Sequence, residues 1–306
     1  GARVTFWTKE EYADAARFEP AIAHVRRLEA GARALEDLVS MGAELEDCDL
    51  IVDLHGSLRT RVLTFRQRAP VLRAASYRLR RARWVHARWS APPAVPRALE
   101  RYARCLRALG LGVGEAPRVS PGTEARAWAA DWLGAWPGAG PAVAFCPGAR
   151  HATKRWPQEH WVALHGLVRS RGARVLVVSL EGERRGLAAL AAAVEGDAGS
   201  RWCVEPLSRL AALLERCPQA VTHDSGVMHL AAACGARVVA LFGSTSPALG
   251  FAPAGVGHVV LCRDEPCQPC TLHGRATCPR GHFDCMRRLE PARVLEALLG
   301  QEAPRA

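Results

Sequence analysis

The chain predicts an α/β fold made of two Rossmann-like units facing a cleft. Three observations carry this. Apolar runs of strand length, such as Arg174–Ser179 (RVLVVS) and Arg237–Phe242 (RVVALF), lack polar alternation, as strands buried on both faces do. They alternate with segments at helical spacing, the order of a helix-covered parallel sheet. The 306 residues, 49% hydrophobic and 23% charged, have ordinary globular composition and a length suited to roughly two domains. That composition excludes disorder as the main state, and no apolar run approaches the ~18–20 residues of a membrane span.

The first half reads as a strand at Val4–Thr8, helices at Glu10–Arg17 and Ala32–Gly42, and an apolar strand Leu50–Leu54 that ends in polar residues. A basic segment follows to Trp89, then a Pro-rich stretch Ala91–Pro96 and helices at Arg97–Leu109 and Ala125–Leu133. Gly134–Pro141 (GAWPGAGP) is the best linker. It sets the expected domains at 1–135 and 136–306. The second half is more regular. Strands at Val143–Cys146, Arg174–Ser179, Arg201–Val204, Ala220–Thr222 and Arg237–Phe242 alternate with helices at Pro157–Ser170, Glu183–Val194, Leu207–Arg216 and Val227–Cys234.

Net charge is +11, and the excess is local: ten arginines fall between Arg59 and Arg88. Such a stretch is either a solvated helical face or a surface for an anionic partner. No stacking platform or known docking motif accompanies it, so nucleic acid is not the expected partner. Trp84, His86 and Trp89 within it suit packing, a sugar contact or a membrane interface. Eleven cysteines without an export signal indicate a reducing, cytoplasmic setting. Cys267, Cys270, Cys278 and Cys285 could close a tetrahedral structural zinc site; their spacing equally admits free thiols or a disulfide. Asp47-Cys48-Asp49 has the D-x-D form but precedes a strand, which favours a polar turn.

Three loops carry chemistry. Thr222-His223-Asp224-Ser225-Gly226-Val227-Met228-His229 joins a strand to a helix. A helix start at the carboxyl end of a parallel strand offers free N–H groups and a positive dipole end to a phosphate. Asp224 would repel that phosphate and suits a helix cap or sugar hydroxyls better. Cys146–Pro157 (CPGARHATKRWP) also joins a strand to a helix and holds Arg150, Lys154 and Arg155 beside Gly148. Three cations there can neutralise a diphosphate, though the Walker spacing is absent. Gly243–Pro247 (GSTSP) follows RVVALF and would lie beside the Asp224 loop.

Together, PGA…KRWP, HDSGVMHLAAACG and VVALFGSTSP resemble glycosyltransferase family 9, the heptosyltransferases of lipopolysaccharide inner-core assembly. VDLHGSLRT and PCQPC…C…CM also fit, so the resemblance runs from about Arg3 to Leu299. It implies a GT-B fold with the donor held by the second domain. The implied activity is inverting transfer of heptose from ADP-heptose to an anionic lipid A-core acceptor, at the cytoplasmic face of the inner membrane. No cofactor is required. Lys154 and Thr153 would contact the donor phosphates, Asp224 the heptose hydroxyls, Ser225, Gly226 and His229 the diphosphate region, and Glu183 the ribose. Arg59 and Arg61 would hold the acceptor.

The family opens with a strand and a Gly-Asp loop whose Asp is the base. This chain begins at what resembles the family's second strand, so an N-terminally incomplete chain is expected. The base role then passes to no residue by motif. Asp53 and His55, at the end of LIVDLHGS, are the nearest substitutes. The alternative on that ground is a non-catalytic protein that binds nucleotide or polyanions.

Overall fold

The computed structural model describes the chain apart from residues 18, 29–34, 44, 46–47, 88–91, 93, 115, 139, 181 and 301–306, and apart from the side chains of 35–37. Asp47 of the D-x-D turn, Trp89 and the start of the helix expected at Ala32 lie outside the described residues.

The first half contains β1 (Val4–Lys9), α1 (Glu10–Ala16), β2 (Ile22–Leu28), α2 (Leu35–Ala43), β3 (Ile51–Asp53), α3 (Leu58–Leu63), β4 (Val71–Arg73), α4 (Arg78–Ala87), α5 (Ala98–Arg107) and α6 (Thr123–Gly134). β1 pairs in parallel with β2 across α1, and β3 with β4 across α3. Both are strand–helix–strand units, the building block expected of a Rossmann-like domain. Among the described residues no ladder joins the two pairs.

The second half contains β5 (Ala142–Cys146), α7 (Gln158–Arg169), β6 (Arg174–Ser179), α8 (Ala188–Glu195), β7 (Ser200–Val204), α9 (Leu207–Leu214), β8 (Gln219–His223), α10 (Gly226–Ala233), β9 (Arg237–Phe242), β10 (Val259–Cys262), α11 (Asp284–Arg287) and α12 (Pro291–Leu298). Its six strands form one parallel sheet in the order β10-β9-β8-β5-β6-β7.

Alternate residues of the strands feed two cores. Ala144, Leu176, Val178, Ala240 and Phe242 face α6, α9 and α10. Phe145, Val175, Val177, Val239 and Leu241 face α7, α8 and α12. Burial on both faces is why these strands read as unbroken apolar runs.

The linker reading starts the second domain at 136; Ala125 and Ala129 of α6, before it, are buried in one core with Trp136. Arg126 also makes a two-pronged ion pair with Glu215, each contact at 3.0 Å. α6 therefore packs as part of the second unit. The halves touch directly. The Ala98 amide donates to the Gly250 carbonyl at 3.0 Å, and Asp14 of α1 accepts the Ser208 amide at 2.7 Å at the start of α9.

Candidate active site

Strand order reverses at the centre of the sheet. From β5 the chain runs outward to β6 and β7, then returns to β8 on the other side. β5 and β8 pair with Cys146 opposite Thr222, so their carboxyl ends are level. Ligands of open α/β sheets bind in the crevice at this switch point.

The loop after β5 brings Lys154 to it, in a 3₁₀ turn over Ala152–Lys154. The turn after β8 brings Asp224, followed by the start of α10. Lys154 Nζ lies 2.6 Å from Asp224 Oδ2 and donates to the Asp224 carbonyl at 3.1 Å. Thr245, at the end of β9, holds the same carboxylate oxygen by donating its hydroxyl at 2.7 Å. Three loops that follow three neighbouring strands thus meet at one carboxylate.

The start of α10 has unused capacity. Ser225 is its N-cap, but the side chain makes no cap bond, and Ser225 Oγ is buried without a partner among the described residues. A buried hydroxyl without a hydrogen bond is unfavourable; an incoming oxyanion supplies one, together with the free N–H groups of the first turn. A Cβ on Gly226 would meet no atom within 4 Å, so the helix start is open. His229, one turn on, is held neutral: burial lowers its pKa and Lys154 adds to this, against the opposing pull of Asp224.

The loop carrying Lys154 is stitched to the sheet by His223. Its Nε2 accepts the Trp156 amide at 2.8 Å, and the ring packs edge-on to Trp161. Burial drives the His223 pKa down to about 3. It therefore stays an uncharged acceptor.

Glu183 projects over Gly148. A Cβ at 148 would overlap its carboxylate, which also accepts the Leu180 amide at 2.8 Å. The predicted ribose carboxylate thus stands above the β5 loop, and Gly148 makes room for it.

Thr153, expected at the donor phosphates, has its hydroxyl buried, 2.9 Å from Ser244 Oγ, where it accepts the Arg275 amide at 2.8 Å. The Thr153 amide donates to the Arg275 carbonyl at 3.1 Å. Thr153 therefore clamps two loops, and its hydroxyl is fully engaged. Gln268 works beside it: its side-chain amide donates to the carbonyls of Phe242, Gly243 and Thr245. This brings the cysteine-bearing loop beneath the site.

Cys267, Cys270, Cys278 and Cys285 are all free. Burial first, then the neighbouring thiols, pushes the Cys285 pKa up to about 12. Among the described residues no three His, Cys, Asp or Glu side chains are arranged to hold a metal ion.

Asp53 is poorly placed to act as a base. Burial would raise its pKa, but the Gly56 amide, Arg73, Thr60 and the His55 amide outweigh that and hold it below the usual carboxylate range. Its Oδ2 accepts Arg73 Nε at 2.7 Å. It anchors the turn after β3. His55 is exposed beside it, as are Arg59 and Arg61 on α3.

Two residues escaped the sequence reading. Arg81 of α4 and Arg101 of α5 are buried, and neither pairs with a carboxylate among the described residues. Among the described residues Arg81 donates to the Ser76 carbonyl and its Nε and Nη2 have no partner, nor has Arg101 Nε. Burial first, then Arg101, lowers the Arg81 pKa to about 10. Arg81 stacks over Phe251 of the second half, 4.6 Å from the ring centre. Two like charges buried together without a counter-ion mark a place where an anion binds favourably.

The glycosyltransferase family 9 (heptosyltransferase) model matches residues 38–279. Lipopolysaccharide heptosyltransferase 1 of Pseudomonas aeruginosa is 35% identical over 181 residues, 52% of this chain and 48% of that protein. Lipopolysaccharide heptosyltransferase 2 of Escherichia coli is 33% identical over 171 residues, 53% of this chain and 48% of that protein. The matched region thus spans about half the length of these curated relatives.

Among solved structures, a family 9 glycosyltransferase of Veillonella parvula superposes with a TM-score of 0.76 at 18% identity, over 98% of this chain and 88% of that one. The E. coli ADP-heptose heptosyltransferase II gives 0.69 at 20%, over 98% and 89%. These similarities establish the GT-B fold, and with the family match over most of the sequence, the chain belongs to glycosyltransferase family 9.

Proposed function

We propose that the protein is an inverting glycosyltransferase. It moves heptose from ADP-heptose to an acceptor sugar of the lipopolysaccharide inner core, at the cytoplasmic surface of the inner membrane. One observation carries the reading: the Lys154–Asp224 pair sits at the switch point beside an α10 start whose Ser225 hydroxyl has no partner. A diphosphate there meets one cation, the first-turn N–H groups and the Ser225 hydroxyl. Asp224, freed from Lys154, turns to sugar hydroxyls, and Thr245 keeps it in place.

In the reaction the acceptor hydroxyl attacks the anomeric carbon, the bond to ADP breaks in line with that attack, and the hydroxyl proton passes to solvent. Negative charge builds on the leaving diphosphate. Lys154 and the α10 start are fixed before the reaction and stabilise that charge as it forms. Glu183 above Gly148 suits the ribose hydroxyls. The Arg81–Arg101 pair gives the acceptor's anionic groups a desolvated partner on the opposite side, near the contact between the halves. Family membership and relatives named as heptosyltransferases support this choice of donor and reaction.

The test is incubation of the protein with ADP-heptose and a lipid A-core acceptor, read by mass spectrometry. The reading predicts an acceptor heavier by one heptose, with release of ADP. An unchanged acceptor in the presence of bound donor refutes it.

A further inference from the structure

The sequence between Asp53 and Glu100 contains no acidic residue. Within it, α3 and the turn that follows it present large apolar side chains to solvent. The inward side carries half-buried Val62 and Leu63 and is anchored by polar groups. Ser57 and Thr60 form a reciprocal cap at the helix start. The buried Thr64 hydroxyl accepts Arg73 Nη2 at 2.6 Å, and Arg73 is in turn held by Asp53. The outward side carries Leu58, 78% exposed, and Phe65, 84% exposed. Arg59, Arg61, Arg66 and Arg68 are exposed around them.

Leu58 and Arg61 fall at i and i+3 on one face of α3, and Phe65 follows in the turn that closes the helix, where its amide donates to the Val62 carbonyl at 3.1 Å. The capping box and the Thr64–Arg73–Asp53 chain fix that face outward. A phenylalanine and a leucine held in water within a ring of arginines, in a stretch with no carboxylate between Asp53 and Glu100, match a bilayer surface: apolar tips enter the interface while guanidinium groups meet anionic headgroups.

We infer that the outward face of α3, built on Leu58 and Phe65 within its arginine ring, is a docking surface for an anionic lipid bilayer. The face begins five residues past the carboxyl end of β3, where parallel strands of this architecture present their ligand side. Docking there sets the cleft at the membrane where a lipid-linked acceptor lies. Only that last step rests on the proposed function; the docking itself does not.

Flotation with vesicles tests it, using phosphatidylethanolamine–phosphatidylglycerol against phosphatidylcholine alone. The wild-type chain is expected to float with the anionic vesicles, less so at high salt, and not with the neutral ones. Leu58→Ser combined with Phe65→Ser should lower partitioning about tenfold or more, as expected for losing two large apolar contacts. ADP affinity, measured by calorimetry on the same variant, should stay unchanged and thereby report an intact fold. Equal partitioning of variant and wild type, or failure of the wild type to float with anionic vesicles, overturns the inference. Failure of ADP-heptose to bind the wild type counts against the transferase reading alone.

Discussion

Replacing Asp224 by Asn separates the role of that carboxylate from its role as partner to Lys154. In the free protein Asp224 neutralises a lysine whose side chain is 14% exposed, while its own is 11% exposed. Breaking a buried pair by removing one partner costs ~3–5 kcal/mol. Lys154 keeps the Asp224 carbonyl at 3.1 Å, and the Asn amide oxygen can still accept from Thr245. The cost should therefore fall to about 2–3 kcal/mol. For a unit of this size that lowers Tm by about 5–10 °C.

ADP should then rescue the variant more than the wild type, because its diphosphate gives Lys154 a new counter-charge without having to displace Asp224. Calorimetry should show ADP bound at least as tightly as by the wild type. The preference for ADP-heptose over ADP should shrink by about tenfold, since a charge-assisted bond to a sugar hydroxyl is lost. Thermal scans with and without ADP complete the assay. A variant that loses ADP affinity while keeping its preference for the sugar would refute the assignment.

Three further outcomes follow from the same geometry. Thr153→Val should lower Tm, because the buried Ser244 and Arg275 groups lose their partner, yet leave ADP affinity unchanged; a selective loss of ADP binding would return Thr153 to the phosphate site. His223 has a folded pKa of about 3 against an ordinary 6.5. The unfolded chain takes up the proton first, so this contribution is complete above about pH 6.5 and is lost as pH falls toward 3, about 2 kcal/mol by pH 5. His223→Gln keeps an acceptor for the Trp156 amide, so its Tm should fall less between pH 7 and 5 than the wild type's; an equal fall would remove His223 as a source of acid sensitivity. Arg81→Met removes one of two buried like charges, so Tm should rise while acceptor KM increases; a fall in Tm would show that the charge is already compensated.

The second half was legible because its chemistry is local in sequence. β6 and β9 are buried on both faces, so their residues read as apolar runs, and Asp224, Ser225 and Lys154 stand where strand ends must place them. β2 escapes the sequence reading because Ile22–Leu28 lacks two-residue alternation: its half-buried residues Ile22, Val25 and Leu28 are three apart, with Ala23, His24, Arg26 and Arg27 exposed between them. Thr153 looked free because its partners Ser244 and Arg275 lie 91 and 122 residues away. Arg81 and Arg101 were hidden for a different reason. Composition counts arginines, but only packing decides which of them lose water.

The most direct test of the donor site is calorimetric titration of ADP-heptose into the wild type and into Lys154→Ala. A charge-assisted phosphate contact contributes ~1.5–3 kcal/mol, so the variant should bind about 10- to 150-fold more weakly. The wild type should bind one ADP-heptose per chain, more tightly than ADP. Equal affinity in the two proteins, or no binding by the wild type, would contradict a diphosphate site at the junction of β5 and β8.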